Sequence, residues 1–148
     1  MLFSKSLQYA IKAVIFIQTK SNLGEKPGAV EICQGIDAPK AFIAKILQTL
    51  VKEHIIGSNK GPGGGFFLDD YHSNKTLKNI LVAIDGPSII KGCALGLPTC
   101  SDLNPCPLHN QIKLVREETI NMLESKTIKE FGKEVEEGET ILQRELKF

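Results

Sequence analysis

The chain has 148 residues, 42% hydrophobic and 24% charged, a balance that fills one core-bearing domain with an appendage and excludes wholesale disorder. Its longest unbroken apolar run covers residues 13–17, far short of the roughly 20 residues of a membrane span, and Lys12 interrupts any signal-like apolar segment, so a cytoplasmic chain without a membrane partner is expected. The net charge of +1 hides an asymmetry: residues 1–80 carry ten Lys against six acids and residues 81–148 eight Lys plus Arg against eleven acids, so only the first part suits a polyanion.

Residues 4–19 place Leu7, Ala10, Ile11, Val14 and Ile17 on one stripe, which predicts a first helix. A loop with two Gly and a Pro follows over residues 22–28, then a short apolar helix over 29–34 that Gly35 is expected to end. Asp37 precedes the next helix, and Pro39 fits its first turn because the missing N–H has no partner there. That helix, residues 39–52, has a core stripe of Ile43, Ile46, Leu47 and Leu50 and an outer stripe of Ala41, Ala44, Lys45, Gln48 and Lys52. Two helices joined by a tight turn, the second presenting Lys and Gln on a smooth face, match a helix-turn-helix, although any small helical domain can contain such a pair.

The following residues favour the DNA-binding reading. Strand candidates at 55–60 and 66–68 flank Gly61, Pro62, Gly63, Gly64 and Gly65, which makes a hairpin, or wing, whose nearly side-chain-free tip can approach phosphates beside Lys60. A nucleotide-binding loop is a weaker reading, since the Walker pattern is missing and no helix follows the glycines at once. Residues 76–84 predict a further helix through Leu77, Ile80, Leu81 and Ile84. Residues 108–123 predict a longer one, whose narrow stripe of Leu108, Ile112, Val115, Thr119 and Met122 suits a seam between subunits or folds back on its own domain. Thr127 with Glu130 opens a short last helix, and residues 132–148 read as a polar, loosely docked tail.

Between these helices, residues 86–107 hold Gly86, Pro87, Gly92, Gly96, Pro98, Pro105 and Pro107 together with three of the four cysteines, a loop that needs something to order it. Cys93, Cys100, Cys106 and His109 form C-x(6)-C-x(5)-C-x(2)-H, a soft donor set for an iron-sulfur cluster or zinc, with a metal-free thiol switch as a third option. Gaps of six and five are looser than the C-x(2–4)-C pairs of structural zinc and favour a wider object. Cys33 reads as a small buried hydrophobe, and His54 and His72 as plain surface or hairpin-edge residues. No nucleophile motif, paired acid-base constellation or Walker loop points to an enzyme.

The strings S-K-S-L-Q-Y-A-I-K-A (residues 4–13), F-I-A-K-I-L-Q-T-L (42–50) and N-K-G-P-G-G-G-F-F-L (59–68), with the cysteine triplet and its histidine, resemble the Rrf-two family of IscR/NsrR-type bacterial regulators over about residues 1–131. The resemblance implies a homodimeric winged helix-turn-helix that regulates transcription according to the state of an iron-sulfur cluster. It carries over Cys93, Cys100 and Cys106 as cluster ligands and His109 as the fourth, completing a 2Fe-2S centre; in nitric-oxide-sensing members an N-terminal acid completes a 4Fe-4S centre, and that position holds the poorer ligand Gln8. The first cysteine gap is six instead of the commoner five, Lys60 replaces the usual wing Arg, and Ala44 stands where cluster-assembly regulators have a discriminating acid, so their operator preference does not transfer.

The expected fold is therefore mainly α with a small β-wing: residues 1–85 a winged helix-turn-helix domain, 86–107 a cluster-binding loop, 108–131 a dimerisation helix region and 132–148 a polar tail. Lys40, Ala41, Lys45 and Gln48 would face the major groove of a near-palindromic double-stranded operator, and Lys60, Gly61, Gly63 and Gly64 the backbone or minor groove. Nitric oxide, redox stress or cluster status would be the input.

Overall fold

The computed structural model describes residues 3–144. Helix α1 (Lys5–Asn22) is capped by Ser4, whose hydroxyl accepts from the Leu7 N–H at 3.1 Å, and it buries Leu7, Ala10, Ala13, Val14 and Ile17. These residues centre the core, because α2 (Ala29–Ile36) and α3 (Lys40–Lys52) both pack against α1.

The helix-turn-helix differs from expectation at its corner. Gly35 does not end α2; Asp37 does, at φ 52°, while Gly35 lies inside the helix where a Cβ would overlap the Phe16 ring of α1. The glycine is there for close helix crossing and not for turn geometry. Pro39 stands at the N-cap of α3, just outside its first turn, and extended backbone at that point turns the chain. The core stripe is as expected: Ile43, Ile46, Leu47 and Leu50 are all buried.

The wing strands are shorter than their apolar residues suggested. Ile55 and Ile56 are buried core plugs whose N–H groups turn back to the Leu50 carbonyl, so pairing begins only at β1 (Gly57–Asn59), antiparallel to β2 (Gly65–Phe67) with Ser58 opposite Phe66. The Phe66 N–H donates to the Pro27 carbonyl at 2.9 Å, which ties the wing to the loop before α2.

A short helix, α4 (Asp70–Ser73), then leads into α5 (Leu77–Asp85). His72, expected at the surface, is buried in α4 with its ring edge-on to Phe67 and Tyr71 and its Nδ1 2.8 Å from Asp69 Oδ1, because helix capping draws it inward. Ser73 donates to Gln18 Oε1 at 2.7 Å, and Ser4 donates to the Asp85 carboxylate, so both ends of this stretch are pinned to α1 or its cap. Cys33 is buried, as a small apolar residue would be.

After α6 (Ser88–Lys91), a single turn inside the expected loop that buries Ile90, the chain is irregular until α7 (His109–Glu124). Leu123 is buried where the end of α7 meets the domain, and α5 packs on α7. Ile120, one turn earlier, also packs on the core and His109 is buried at the start of the helix, whereas Leu114 and Val115 between them are exposed. The acidic segment that follows docks more firmly than its composition suggests. Helix α8 (Ile128–Glu136), capped by Thr127, lies along α1 with Gly132 against Gln18, and Asn22 donates to Glu136 at 2.7 Å. Residues 132–136 thus complete a packed helix instead of a loose tail, since Ile128 and Gly132 give it an inner face. Residues 145–148, the end of that expected tail, lie outside the described residues.

Candidate functional site

Two regions hold the candidate residues. On α3, Lys40, Ala41, Ala44, Lys45 and Gln48 are exposed together on the face opposite the core stripe, so the helix offers a continuous polar and small surface. Phe42 at its edge stacks edge-on against Tyr9 of α1 at 5.4 Å, with Lys5 and Lys12 over the Tyr9 ring at 5.3 and 4.8 Å. In the wing, Lys60, Gly61 and Gly63 are exposed, and Gly64 is half-buried.

The wing glycines are not equivalent. Gly61 and Gly63 sit at φ 85° and 75°, where an L side chain is strained, yet open space surrounds them; Gly64 is required because a Cβ would overlap the Asn59 carbonyl. The tip is therefore bare backbone at Gly61 and Gly63, while the Gly64 N–H donates to the Gly61 carbonyl at 2.9 Å and closes the turn. Lys26, whose carbonyl crowds Gly65, holds its ammonium 5.4 Å from the Phe67 ring and adds a cation beside the wing that sequence reasoning passed over.

The second region is the cysteine loop. Of its four expected donors, two meet directly: Cys100 Sγ lies 3.5 Å from His109 Nδ1. Among the described residues no three His, Cys, Asp or Glu side chains converge on one point as a single ion would need. All three loop cysteines are free and half-buried. Backbone N–H groups of Leu95 and Leu97, with help from Cys106 and against desolvation, hold the Cys93 thiol below its ordinary value and so favour its ligand form.

Helix α7 supplies three residues to this region at i, i+4 and i+7: His109, Lys113 and Arg116. His109 is buried, and its Nε2 lies 2.8 Å from Asp102 Oδ1, which Lys113 also approaches at 3.2 Å. The hydrogen bond from His109, reinforced by Lys113, keeps the Asp102 carboxyl below its usual range. Arg116 donates from Nη1 to Cys100 Sγ at 3.3 Å and from Nη2 to the Gly92 carbonyl. Asp102, Lys113 and Arg116 were missed in the sequence; for Lys113 and Arg116 the available signal was helical spacing from His109, whereas Asp102 had none.

The donor chemistry fits an iron-sulfur cluster. Three thiols, one imidazole nitrogen and surrounding N–H donors suit soft, anionic iron sites.

An exposed recognition helix after a tight turn, followed by an antiparallel wing, defines a DNA-binding protein of the winged helix-turn-helix class. The chain belongs to the Rrf2 family, whose model, described as an iron-dependent transcriptional regulator, matches residues 3–134. It is thus a transcription regulator and not an enzyme; regulators of this family bind DNA and act as dimers. The chain is 27% identical over 132 residues to a protein of Aquifex aeolicus (strain VF5) assigned as an HTH-type transcriptional regulator, covering 88% of this chain and 90% of that one.

Among solved structures it resembles CymR (YrzC), the global cysteine regulator of B. subtilis (TM-score 0.70, 18% identity, 88% of this chain and 95% of that chain), and T. potens IscR (TM-score 0.71, 14% identity, 93% and 90%). At these identities the likeness establishes the fold. No helix among the described residues is long and apolar enough to cross a membrane.

Proposed function

We propose that this regulator controls a near-palindromic operator in the cytoplasm as a homodimer, and that an iron-sulfur cluster held by Cys93, Cys100, Cys106 and His109 sets its DNA affinity. A 2Fe-2S centre completed by His109, whose Nδ1 already lies 3.5 Å from Cys100 Sγ, is the favoured nuclearity, with 4Fe-4S as the other possibility. When bound, the cluster would supply iron and sulfide that react with nitric oxide or oxidants, and its occupancy would follow cluster supply.

The carrying observation is that the cysteine loop is tied to α7 at three points: His109 is the first residue of that helix, and Arg116 reaches both Cys100 Sγ and the Gly92 carbonyl. Order in the loop is thereby coupled to the placement of α7, whose exposed Leu108, Val115 and Met122 offer a subunit seam. Movement at that seam would change the spacing of the two α3 helices, which Lys40, Ala41, Lys45 and Gln48 present to the major groove while Lys60, Gly61, Gly63 and Gly64 meet the flanking backbone.

Anaerobic purification tests the reading through absorption, Mössbauer spectra and iron and sulfide analysis. About two irons and two sulfides per chain are expected. Freshly isolated material without either would overturn it. The three free, half-buried thiols of the loop support a second reading, a zinc- or thiol-based regulator without a cluster, which colourless protein containing zinc or a disulfide among these cysteines would favour.

A further inference from the structure

His109 can ligate through either ring nitrogen, and which one is free depends on the partner of the other. Its Nε2 is 2.8 Å from Asp102 Oδ1, while its Nδ1 faces Cys100 Sγ at 3.5 Å. A carboxylate oxygen at that distance only accepts, so the neutral ring carries its proton on Nε2 and leaves the Nδ1 lone pair pointing among the thiols. The acceptor is itself held in place: Lys113 Nζ lies 3.2 Å from the same oxygen, and the Leu103 and Asn104 N–H groups both donate to Ser101 Oγ at 3.2 Å, folding the loop around Asp102. His109 is buried and its ring has no other polar partner among the described residues.

We infer that Asp102 is a positioning residue of this site: with Lys113 it orients His109 and fixes the tautomer in which Nδ1 is the ligand atom. The inference rests on the cluster reading above for its ligand, but the geometry exists in the chain itself. Its anionic partner should also make the imidazole more electron-rich and so stabilise the oxidised cluster. Neither the cysteine spacing nor the C-x(2)-H signature points to Asp102, which lies between two cysteines in sequence and is largely exposed.

Two arms test this. In the cluster-free full chain, nitrogen-15 shifts of the His109 ring should report the Nε2–H tautomer in wild type and in Asp102→Asn, whose amide oxygen still accepts, and a mixture of tautomers in Asp102→Ala. In protein isolated anaerobically, Asp102→Ala should lose its cluster to a chelator about 10- to 100-fold faster than wild type. Asp102→Asn should recover most of that retention, with a reduction potential above wild type because the charge is gone. Pulsed electron resonance of the reduced cluster should show the ligating-nitrogen coupling altered in the Ala variant and restored in the Asn variant.

Wild-type tautomer, retention, potential and nitrogen coupling in Asp102→Ala would overturn the assignment. A wild-type protein that never holds iron, yet shows the Asp102-dependent tautomer, would instead sink the cluster reading and leave the positioning geometry standing. Thermal melting of each variant separates these outcomes from misfolding, and rescue by Asn separates positioning from a general loss of loop structure.

Discussion

The Arg116 guanidinium on α7 donates to Cys100 Sγ at 3.3 Å and, through its second nitrogen, to the Gly92 carbonyl, so one side chain bridges the beginning and the middle of the cysteine loop. A hydrogen bond to a ligating sulfur withdraws electron density and raises a cluster's potential. Arg116→Ala should therefore lower the potential, and it should also bring the operator affinities of the cluster-bound and cluster-free forms together. Fluorescence anisotropy on both forms measures the second effect; an undiminished difference would place the coupling elsewhere.

Cys100 contributes a half-buried thiol to no core, so Cys100→Ser, compared with wild type in the cluster-free form, should keep the fold, its hydroxyl still able to accept from Arg116. The same variant should lack the visible chromophore and bind its operator with altered affinity. Retained colour together with unchanged binding would argue against the switch.

Lys45 on α3 and Lys60 in the wing are exposed cations 15 positions apart on the two elements proposed above to face DNA. Each change to Ala should weaken binding and, where a phosphate contact is lost, reduce the slope of log affinity against log salt by about 1. Titrations at several salt concentrations check this. Wild-type slopes in both variants would move the interface away from these elements.

The exposed apolar face of α7 predicts its own partner. Val115 is 55% exposed and Met122, two turns further along the same stripe, 44%, and a carboxylate on that stripe would be desolvated on pairing. Val115→Asp should raise the dimer dissociation constant at least ten-fold, on the order of 1.4 kcal/mol, without melting the monomer's core. Sedimentation equilibrium measures it, and an unaltered dimer would show that another surface joins the subunits.

At Gly35 the backbone is ordinary helix, where Ala would normally stabilise. Here an added methyl would overlap the Phe16 ring across the α1–α2 crossing. Gly35→Ala is expected to cost about 1–3 kcal/mol in chemical denaturation. A gain in stability would mean that Phe16 moves aside freely.

Much of this molecule is written in local patterns. The spacing of Ile43, Ile46, Leu47 and Leu50 determined both that α3 forms and which side faces outward, because a helix with one apolar stripe can bury only that stripe. The glycine run determined the wing's tip for a similarly local reason: few residues can take the positive φ of Gly61 and Gly63. The cysteine spacing identified candidate donors without the structure.

Tertiary packing decided what local chemistry left open. Gly35 reads as a helix terminator until Phe16 is seen above it, and Ile55 and Ile56 read as strand until the core claims them. The charged residues from 132 onward read as a tail, yet the first of them continue α8, which Ile128 and Gly132 dock on α1. Cys100 and His109 are nine positions apart, and only the folded loop brings them to 3.5 Å, with Asp102 behind the ring and Arg116 against the sulfur. Helix and turn preferences act over a few residues, whereas the second partners of ligands are chosen by whichever side chains the packed chain carries into hydrogen-bonding reach.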